Sequence, residues 1–332
     1  MKKKVVLYKS IPEQYQRQLE QHFDLQVFDG VNDSNRSEFA SALADAQGAI
    51  GASVEMPPQL LQSASRLEAL STISVGTDQF DLDYLAKRGI PLMHTPSVLT
   101  ETTADTVFMQ IMCAARRAVE LSNLVRDGKW TKSIGEEYYG VDVHGKTLGI
   151  IGMGRIGYAV ARRAHLGFNM NIQYCNRSAH QEADQVLNAT RTEMETLLKT
   201  SDFVCVMVPL TAETERLIGQ AQFALMKPSA IFVNGSRGKV VDESALIEAL
   251  SQGQIRAAGL DVFEVEPLPG DSPLCKLDNA VIFPHIGSAT GETREQMVAC
   301  AVDNMIAALQ GDLSRNCANR HLLNGTQTKR NA

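Results

Sequence analysis

Short apolar runs alternate with amphipathic stretches along the first hundred residues of this 332-residue chain. Runs of strand length occur at residues 5–8, 49–50 and 70–74, and segments with helical spacing occur at 13–22 and 38–46. An alternation of strands and helices favours a parallel sheet, because parallel neighbours need a crossover connection. The pattern therefore predicts a β-α block that ends near residue 100.

A second β-α block follows from residue 147. Its apolar runs are nearly continuous, which is typical of strands buried on both faces of a sheet. The predicted strands are 147–151, 171–175, 203–208, 230–233, 257–260 and 280–283. Two long helices are predicted at 100–117 and 292–309, and the second follows the last strand of this block. The end of the chain is therefore expected to return to the first domain, and its polar tail, residues 326–332, is expected to be frayed.

The composition is that of an ordinary globular protein, with 44% hydrophobic and 21% charged residues. The net charge of −6 argues against nucleic acid as a partner. No run approaches the roughly 20 apolar residues of a membrane span, and the N-terminal segment is interpreted as a first strand. We therefore expect a soluble cytoplasmic protein without a membrane partner. The six cysteines are scattered without a Cys-x-x-Cys pair, which favours reduced thiols and predicts no metal site.

Three glycines lie directly after the predicted strand at 147–151. Gly152 suits a tight strand-to-helix turn, Gly154 lets the backbone approach a pyrophosphate, and Gly157 lets helix and strand pack closely. Helix formers follow at 158–164, so the pyrophosphate is expected at a helix N-terminus. An ordinary glycine turn is the alternative, but the strand before it and the helix after it favour a dinucleotide-binding unit.

The end of the next predicted strand indicates which dinucleotide is bound. A domain that selects NAD usually has an acidic residue there, which accepts a hydrogen bond from the ribose 2′-hydroxyl. This chain instead has Asn176, Arg177 and Ser178. Arginine can bind a 2′-phosphate through charge-assisted hydrogen bonds, whereas an acid would repel it. The sequence therefore predicts that NADP(H) is preferred and that NAD(H) is possible, unless Arg177 is simply a solvated surface residue.

Polar side chains follow three later strands. Because the carboxyl ends of parallel strands meet at one edge of a sheet, Arg237, Glu266 and His285 are expected to converge there. An arginine can bind a carboxylate, a histidine can exchange a proton near neutral pH, and a carboxylate can orient the imidazole. Each residue also has a structural alternative: an ion-pair arginine, a glutamate that caps a turn, and a hydrogen-bonded structural histidine.

Several longer motifs contain these residues. Together they resemble the D-isomer-specific 2-hydroxyacid dehydrogenases over nearly the whole chain. The motifs lie at residues 71–78, 94–101, 141–154, 152–157, 234–246, 259–267 and 284–290.

The resemblance implies roles for the three charged residues. Arg237 binds the substrate carboxylate and polarises its carbonyl, Glu266 pairs with His285, and His285 donates the proton during reduction. The hydride comes from the nicotinamide, so the protein supplies orientation and electrostatics. A protonated His285 beside cationic Arg237 needs Glu266 to offset the repulsion.

The resemblance also implies where substrate is bound. Backbone N–H groups around Val75 and Gly76 hold the carboxylate, and glycine lets the ligand approach closely. Leu99 is expected to line the pocket. Trp130 is expected either to line the pocket or to lie in a subunit interface, and its position in a segment joining the domains favours the interface.

Cofactor contacts and fold follow from the same resemblance. Arg155 and Ile156 flank the pyrophosphate, and Asp261 binds the nicotinamide carboxamide. The expected fold is α/β, with two Rossmann-like doubly wound parallel-sheet domains and the cofactor domain inserted in the substrate domain. The expected boundaries are residues 1–100 plus 288–332 for the substrate (catalytic) domain and 101–287 for the NAD(P)-binding domain.

The reaction implied is NADPH-dependent reduction of small 2-oxo acids to D-2-hydroxy acids. Glyoxylate, hydroxypyruvate and 2-keto-D-gluconate are the expected substrates, the last corresponding to a gluconate 2-dehydrogenase activity, and a homodimer is expected. One alternative is a dehydrogenase of another 2-hydroxy acid such as 3-phosphoglycerate. The other is a non-catalytic NAD(P)-sensing binding protein, because the fold alone does not define an activity.

Overall fold

The computed structural model describes residues 1–323, so the tail at 326–332 lies outside the described residues. The chain divides into two compact units. Residues 1–99 and the described residues from 290 to 323 form the first unit, and residues 100–289 form the second.

Twelve strands and twelve α-helices make up most of the regular structure of the described residues. The strands are β1 (Lys4–Leu7), β2 (Asp24–Val27), β3 (Gly48–Gly51), β4 (Ala69–Thr72), β5 (Leu92–Met93), β6 (Thr147–Ile151), β7 (Asn171–Cys175), β8 (Thr190–Arg191), β9 (Phe203–Val206), β10 (Ile231–Asn234), β11 (Ala257–Leu260) and β12 (Ala280–Ile282). The helices are α1 (Glu13–His22), α2 (Arg36–Asp45), α3 (Pro58–Leu61), α4 (Leu82–Lys87), α5 (Thr100–Ala115), α6 (Ala118–Arg126), α7 (Arg155–Arg162), α8 (Gln181–Val186), α9 (Met194–Thr200), α10 (Gln220–Leu225), α11 (Glu243–Ser251) and α12 (Gly291–Leu309).

The first unit contains a five-stranded parallel sheet with the strand order β2-β1-β3-β4-β5. Helix α12 packs against β4, where the Ser71 hydroxyl donates to the Ala301 carbonyl at 2.8 Å. The C-terminal segment lies along the edge of the sheet, because the Ala318 N–H donates to the Leu92 carbonyl at 2.8 Å. The predicted return of the chain to this sheet is thus explained by α12 and the segment after it.

The second unit contains a seven-stranded parallel sheet with the order β12-β11-β10-β9-β6-β7-β8. The chain first adds β7 and β8 on one side of β6, and then adds β9 to β12 on the other side. Such a reversal opens a crevice outside the carboxyl ends of the strands, where ligands bind in open α/β sheets. The glycine turn after β6 lies at this switch point.

The predicted α/β fold with two Rossmann-like parallel sheets is confirmed. Every residue of β9, β10 and β11 is buried, as their continuous apolar runs predict. Strands β2, β5 and β8 were not predicted, because β2 is largely exposed and the other two have two residues each. The long helix ends at Ala115 rather than residue 117, because Arg117 has a left-handed backbone with a φ of 52° and α6 begins after it.

Three general features of the described residues bear on the class of protein. No helix within residues 1–323 is long and apolar enough to cross a membrane. In the same range, no three His, Cys, Asp or Glu side chains gather into a group that could hold a metal ion. All six cysteines are free thiols, and burial raises the pKa of Cys205 to about 12.

Candidate active site

The turn after β6 has the backbone geometry that a dinucleotide site requires. Gly152 has a φ of 102°, which L side chains rarely adopt, and a Cβ there would lie 2.9 Å from the Val208 nitrogen. A Cβ on Gly157 would overlap the Gly152 carbonyl oxygen. Glycine is therefore needed at 152 for the packing of the turn against the segment after β9, and at 157 for its packing against α7.

The start of α7 fits the pyrophosphate of a nicotinamide dinucleotide. Gly154 is the N-cap, so no capping side chain covers the N–H groups of Arg155, Ile156 and Gly157. These groups carry the partial positive charge of a helix N-terminus, which favours a bound anion. Apart from Gly154 itself and its two chain neighbours, no described atom lies within 4 Å of the position that a Cβ on Gly154 would take. The turn therefore has both the donors and the open space that the ligand needs.

The loop after β7 contains the three residues predicted to bind the 2′-phosphate on the cofactor's ribose. Asn176 is half-buried, and its side-chain amide donates to the Ser178 carbonyl at 3.2 Å. Arg177 and Ser178 are exposed in a bend. The Thr211 hydroxyl and, to a lesser extent, the charge of Arg177 lower the pKa of Glu213 below its usual value.

Arg237 is positioned by a turn that follows β10. The buried Asn234 side chain accepts from the Ser236 N–H at 3.0 Å and from its hydroxyl at 2.8 Å. The same amide donates to the Arg237 carbonyl at 3.0 Å. Asparagine commonly organises a turn in this way. The half-buried Arg237 side chain also donates to the Ser236 carbonyl at 2.9 Å, so both its backbone and its guanidinium are held.

The segments after β10 and β11 pack directly on each other. A Cβ on Gly238 would overlap the carbonyl group of Phe263, so only glycine allows this contact. The Glu264 N–H donates to the Glu243 carboxylate at 3.0 Å, and the Glu243 N–H donates to the Glu264 carboxylate at 3.4 Å. These contacts hold the segment that contains Arg237 next to the one that leads to Glu266.

Glu266 and His285 form a close side-chain pair in the site. Nδ1 of His285 lies 2.7 Å from Oε2 of Glu266, and Oε1 accepts from the Phe263 N–H at 3.0 Å. Because a carboxylate can only accept, Nδ1 carries the hydrogen, and Nε2 is the ring nitrogen left for a ligand. The His285 side chain is 49% exposed and that of Glu266 is 35% exposed. The pair can therefore exchange a proton with a bound molecule.

The electrostatics of Glu266 favour its ionised form. Partial burial is the largest single effect and raises the pKa of this carboxyl, but the hydrogen bonds from His285 and Phe263 and the charges of His285 and Arg237 together outweigh it. The pKa of Glu266 consequently lies below its usual value. A carboxylate that stays ionised in this way can stabilise an imidazolium and fix the ring orientation.

Asp261 holds the loop on which His285 lies. Its two carboxylate oxygens accept from the N–H groups of Ile286 and Gly287, each at 2.7 Å. His285 itself has a φ of 54°, a left-handed conformation that costs about 1 to 3 kcal/mol for most residues. Burial raises the pKa of Asp261, although the two N–H donors oppose the shift. Asp261 thus stabilises the backbone immediately after a strained histidine.

The residues predicted to bind substrate through Val75 and Gly76 lie after β4 in the first unit. The His94 ring donates through Nδ1 to the Val75 carbonyl at 3.1 Å, and the Ser74 hydroxyl donates to the Gly76 carbonyl at 2.9 Å. Val75 and Gly76 are both half-buried. Leu99 is 7% exposed at the end of this unit. Two side chains therefore fix the peptide groups of the Val75–Gly76 turn.

Trp130 lies in the second unit, in the segment after α6. Its side chain is 59% exposed, so it does not belong to the core of this unit. None of the nine residues of α6 is buried. The indole therefore presents a large apolar surface that the core of its own unit does not cover.

Two residues that shape the site were not predicted from the sequence. Asn234 could have been found, because an asparagine directly after a buried strand and before Gly-Ser is a turn signal. Arg191 donates to the carbonyl oxygens of Asn176 and Arg177. No sequence signal indicates those contacts, because their acceptors are backbone atoms.

Fold and site together define a class of protein, and the comparisons agree with it. A family model described as D-isomer specific 2-hydroxyacid dehydrogenase, NAD binding domain, matches residues 108–287. The chain therefore belongs to the D-isomer-specific 2-hydroxyacid dehydrogenase family, whose members are oxidoreductases that use a nicotinamide cofactor.

Individual relatives narrow the comparison. The chain is 55% identical over 322 residues to glyoxylate/hydroxypyruvate reductase B of Enterobacter sp. (strain 638), covering 97% of this chain and 99% of the relative. The predicted resemblance to the family over nearly the whole chain is thereby confirmed. A solved structure from Thermus thermophilus matches with a TM-score of 0.86 and 39% identity, covering 95% of this chain and 99% of that one. An NADPH-dependent glyoxylate/hydroxypyruvate reductase from Sinorhizobium meliloti, solved with NADP and malonate, matches with a TM-score of 0.83 and 28% identity over 96% of this chain and 98% of that one.

Proposed function

We propose that this protein reduces small 2-oxo acids to D-2-hydroxy acids, with NADPH as the preferred hydride donor and NADH as a possible one. Glyoxylate, hydroxypyruvate and 2-keto-D-gluconate are the proposed substrates. The observation that carries the proposal is the 2.7 Å contact between Glu266 and His285, on the same sheet edge as Arg237 and the glycine turn. That arrangement provides a proton donor, its orienting carboxylate and a cation for the substrate.

The roles of the three side chains follow from their chemistry. The guanidinium of Arg237 binds the substrate carboxylate and polarises the carbonyl oxygen. His285 donates a proton from Nε2 to that oxygen as the alkoxide develops, while Glu266 keeps the ring oriented and offsets the added positive charge. When bound, the dihydronicotinamide supplies the hydride.

Binding residues complete the proposed site. The backbone N–H groups at Val75 and Gly76 donate to the substrate carboxylate, and Leu99 contributes apolar surface. Arg155 and Ile156 at the start of α7 flank the pyrophosphate. We assign substrate binding to the domain of residues 1–100 plus 288–332 and cofactor binding to residues 101–287.

Asp261 has a second proposed role beyond holding the His285 loop. Each of its oxygens already accepts one backbone N–H, and a carboxylate oxygen has a further lone pair. An amide N–H of the nicotinamide carboxamide can therefore bind there without displacing Ile286 or Gly287.

The preference for NADPH rests on Asn176, Arg177 and Ser178. They present a guanidinium, an amide and a hydroxyl and no carboxylate, a donor set that suits a 2′-phosphate. The Sinorhizobium meliloti relative is NADPH-dependent, which supports the same preference.

The decisive measurement is kcat/KM for hydroxypyruvate reduction with saturating NADPH and then with saturating NADH. A clear preference for NADPH supports the assignment of Arg177. Equal use, or a preference for NADH, contradicts it and leaves the catalytic roles in place. A lack of turnover with glyoxylate, hydroxypyruvate and 2-keto-D-gluconate would favour another 2-hydroxy acid or a sensor of NAD(P).

A pair of variants tests the role of Arg237. Arg237→Ala should abolish turnover and leave NADPH binding, measured by fluorescence titration, nearly unchanged. Lys239→Ala removes an exposed positive charge two positions away and should retain activity. Loss of NADPH affinity with preserved turnover in Arg237→Ala would contradict the proposed role.

We further propose a homodimer formed through the second unit. Five large apolar side chains are exposed within a short stretch that includes α6 and the segment after it. They are Val119, Val125, Trp130, Ile134 and Tyr139. Such a concentration exceeds the scattered apolar residues of an ordinary surface, and aromatic side chains are enriched in interface cores. On this proposal Trp130 is an interface residue.

A further inference from the structure

Arg191 lies on the two-residue strand β8, beside the loop that follows β7. Its Nε donates to the Asn176 carbonyl at 3.1 Å, and its Nη2 donates to the Arg177 carbonyl at 2.9 Å. One guanidinium therefore binds two successive peptide groups. Its planar fork makes this possible, whereas a lysine ammonium would not hold both acceptors in a fixed geometry.

The two hydrogen bonds fix the direction of the neighbouring N–H groups. In a trans peptide the N–H points opposite to the C=O of the same peptide group. Because the carbonyls of Asn176 and Arg177 face Arg191, the N–H groups of Arg177 and Ser178 face away from it. Successive N–H groups directed to one side form an anion-binding concavity. The Asn176 amide, which donates to the Ser178 carbonyl, closes the same bend.

The Arg191 side chain differs from that of Arg177 in what it can offer a ligand. Two of its donor groups already bind backbone carbonyls, which are short-range, directional contacts. Arg177 is exposed in the bend itself. These positions indicate that Arg191 shapes the loop and that Arg177 contacts the ligand.

We propose that Arg191 is a positioning residue for recognition of the cofactor's 2′-phosphate. It holds the bend so that the Arg177 side chain and the N–H groups of Arg177 and Ser178 face the phosphate together. The inference rests on the proposed NADPH preference and deepens it, because it assigns part of that preference to a residue that does not itself contact the phosphate.

The test uses two small ligands that differ only in the 2′-phosphate, adenosine 2′,5′-bisphosphate and 5′-AMP. Their dissociation constants are measured by calorimetry at one ionic strength, so neither the substrate nor turnover enters the result. The variants are Arg191→Ala, Arg191→Lys, Arg177→Ala and the double variant. Arg256→Ala is the matched control, because this arginine also donates to a backbone carbonyl, that of Tyr139, but directly precedes β11, five strands away from β8 in the sheet.

The wild type should bind the bisphosphate more tightly than 5′-AMP, and Arg177→Ala should remove that ratio. Arg191→Ala should lower the ratio about tenfold, which corresponds to the loss of one charge-assisted contact. Arg191→Lys should resemble Arg191→Ala, because charge without the two-carbonyl geometry does not hold the bend. The double variant should match Arg177→Ala within about twofold, since both changes act on one contact. Melting temperatures and the Arg256→Ala ratio should stay at wild-type values.

The contrary outcomes separate the two proposals. An unchanged ratio in Arg191→Ala, while Arg177→Ala loses it, overturns the role of Arg191 alone. A wild-type ratio in Arg191→Lys shows that only the charge matters and also overturns it. Additive losses in the double variant would mean that Arg191 contacts the phosphate directly, which contradicts a positioning role. A wild type without any preference for the bisphosphate overturns the NADPH preference and, with it, the inference.

Discussion

Oε2 of Glu266 lies 2.7 Å from Nδ1 of His285, although 19 residues separate them in the chain. Strand β12 and the loops at its two ends account for the contact, because Glu266 follows β11 and His285 follows the neighbouring strand. The carboxylate is anchored at its other oxygen by the Phe263 N–H. The imidazole is thus oriented by a group that is itself held by the backbone.

Glu266→Gln should shift the pH dependence of reduction. The single oxygen of glutamine can still accept from Nδ1, although the amide nitrogen then faces the Phe263 N–H and that hydrogen bond is lost. The neutral amide no longer stabilises the imidazolium. We expect the alkaline limb of kcat/KM to move to lower pH by about one unit or more. Asp271→Asn, an exposed neighbouring change, should leave the profile in place. An unchanged alkaline limb in Glu266→Gln would show that the carboxylate charge is not used.

The stability of the folded protein at acidic pH should reflect the lowered pKa of Glu266. A carboxyl whose folded-state pKa is depressed contributes stability above its unfolded pKa and loses it as pH falls through the folded value. Glu266 should therefore stay ionised beside His285 to a lower pH than a glutamate with an unshifted pKa would. Unfolding midpoints measured from pH 6 downward, about the range in which carboxyls protonate, should show the wild type losing its advantage over Glu266→Gln only at the acidic end.

Gly238→Ala should damage the site through packing alone. The added methyl group would overlap the Phe263 carbonyl, so the segments after β10 and β11 must separate. We expect a stability loss of about 1 to 3 kcal/mol in chemical denaturation and a larger fall in kcat than in cofactor affinity. Gly270→Ala is the control, because beyond the adjacent residues no described atom lies within 4 Å of its added Cβ. Equal behaviour of the two variants would contradict a structural requirement for glycine at position 238.

Trp130→Glu should weaken the proposed dimer. A charge placed in the centre of an apolar interface is costly to desolvate, so the dissociation constant should rise by a factor of about 100 or more. Sedimentation or light scattering across a concentration series measures the change. Val186→Glu places the same charge on α8, where the native side chain is similarly exposed, and should leave the mass unchanged. A monomeric wild type, or an unaffected Trp130→Glu dimer, would contradict the assignment.

Much of the fold could be predicted, because strands buried on both faces consist of consecutive apolar residues that are visible in the sequence. Strands β9, β10 and β11 are covered on both faces and are read from their uninterrupted apolar residues. Strand β8 has no apolar run of this kind, since it has only two residues and both are exposed. The break between α5 and α6 was also not predicted. It is made by one residue with a left-handed backbone, Arg117, and no glycine or proline lies beside it to indicate a helix end.

Some features of the candidate site could likewise be predicted from the sequence, and others could not. Glycines at 152 and 157 and the residues after each strand can be located in the sequence, because their spacing is fixed by the strand-to-helix turn. The contacts of Asp261 and Arg191 cannot, because both side chains bind backbone atoms of distant loops. Backbone acceptors are present at every residue, so a sequence does not show which of them a side chain will reach.

Asn319 should be among the most sensitive positions of the first unit. Its fully buried side chain accepts from the Leu92 N–H and donates to the Ile90 carbonyl, each at 2.9 Å. It thereby serves as a hydrogen-bond partner along the edge of β5. Asn319→Ala leaves two buried backbone groups unpaired, so we expect a loss of about 2 to 4 kcal/mol in the unfolding of this unit. Asn319→Asp should cost at least as much, because it keeps the acceptor but turns an oxygen and a buried charge toward the Ile90 carbonyl.

Chemical denaturation followed by circular dichroism measures both variants, with Asn171→Ala as the control. Asn171 is exposed at the start of β7 and should change stability by no more than about 0.5 kcal/mol. If Asn319→Ala unfolds like this control, the C-terminal segment does not stabilise the sheet edge through Asn319. If Asn319→Asp is milder than Asn319→Ala, the donor to Ile90 is dispensable and the acceptor for Leu92 accounts for the effect.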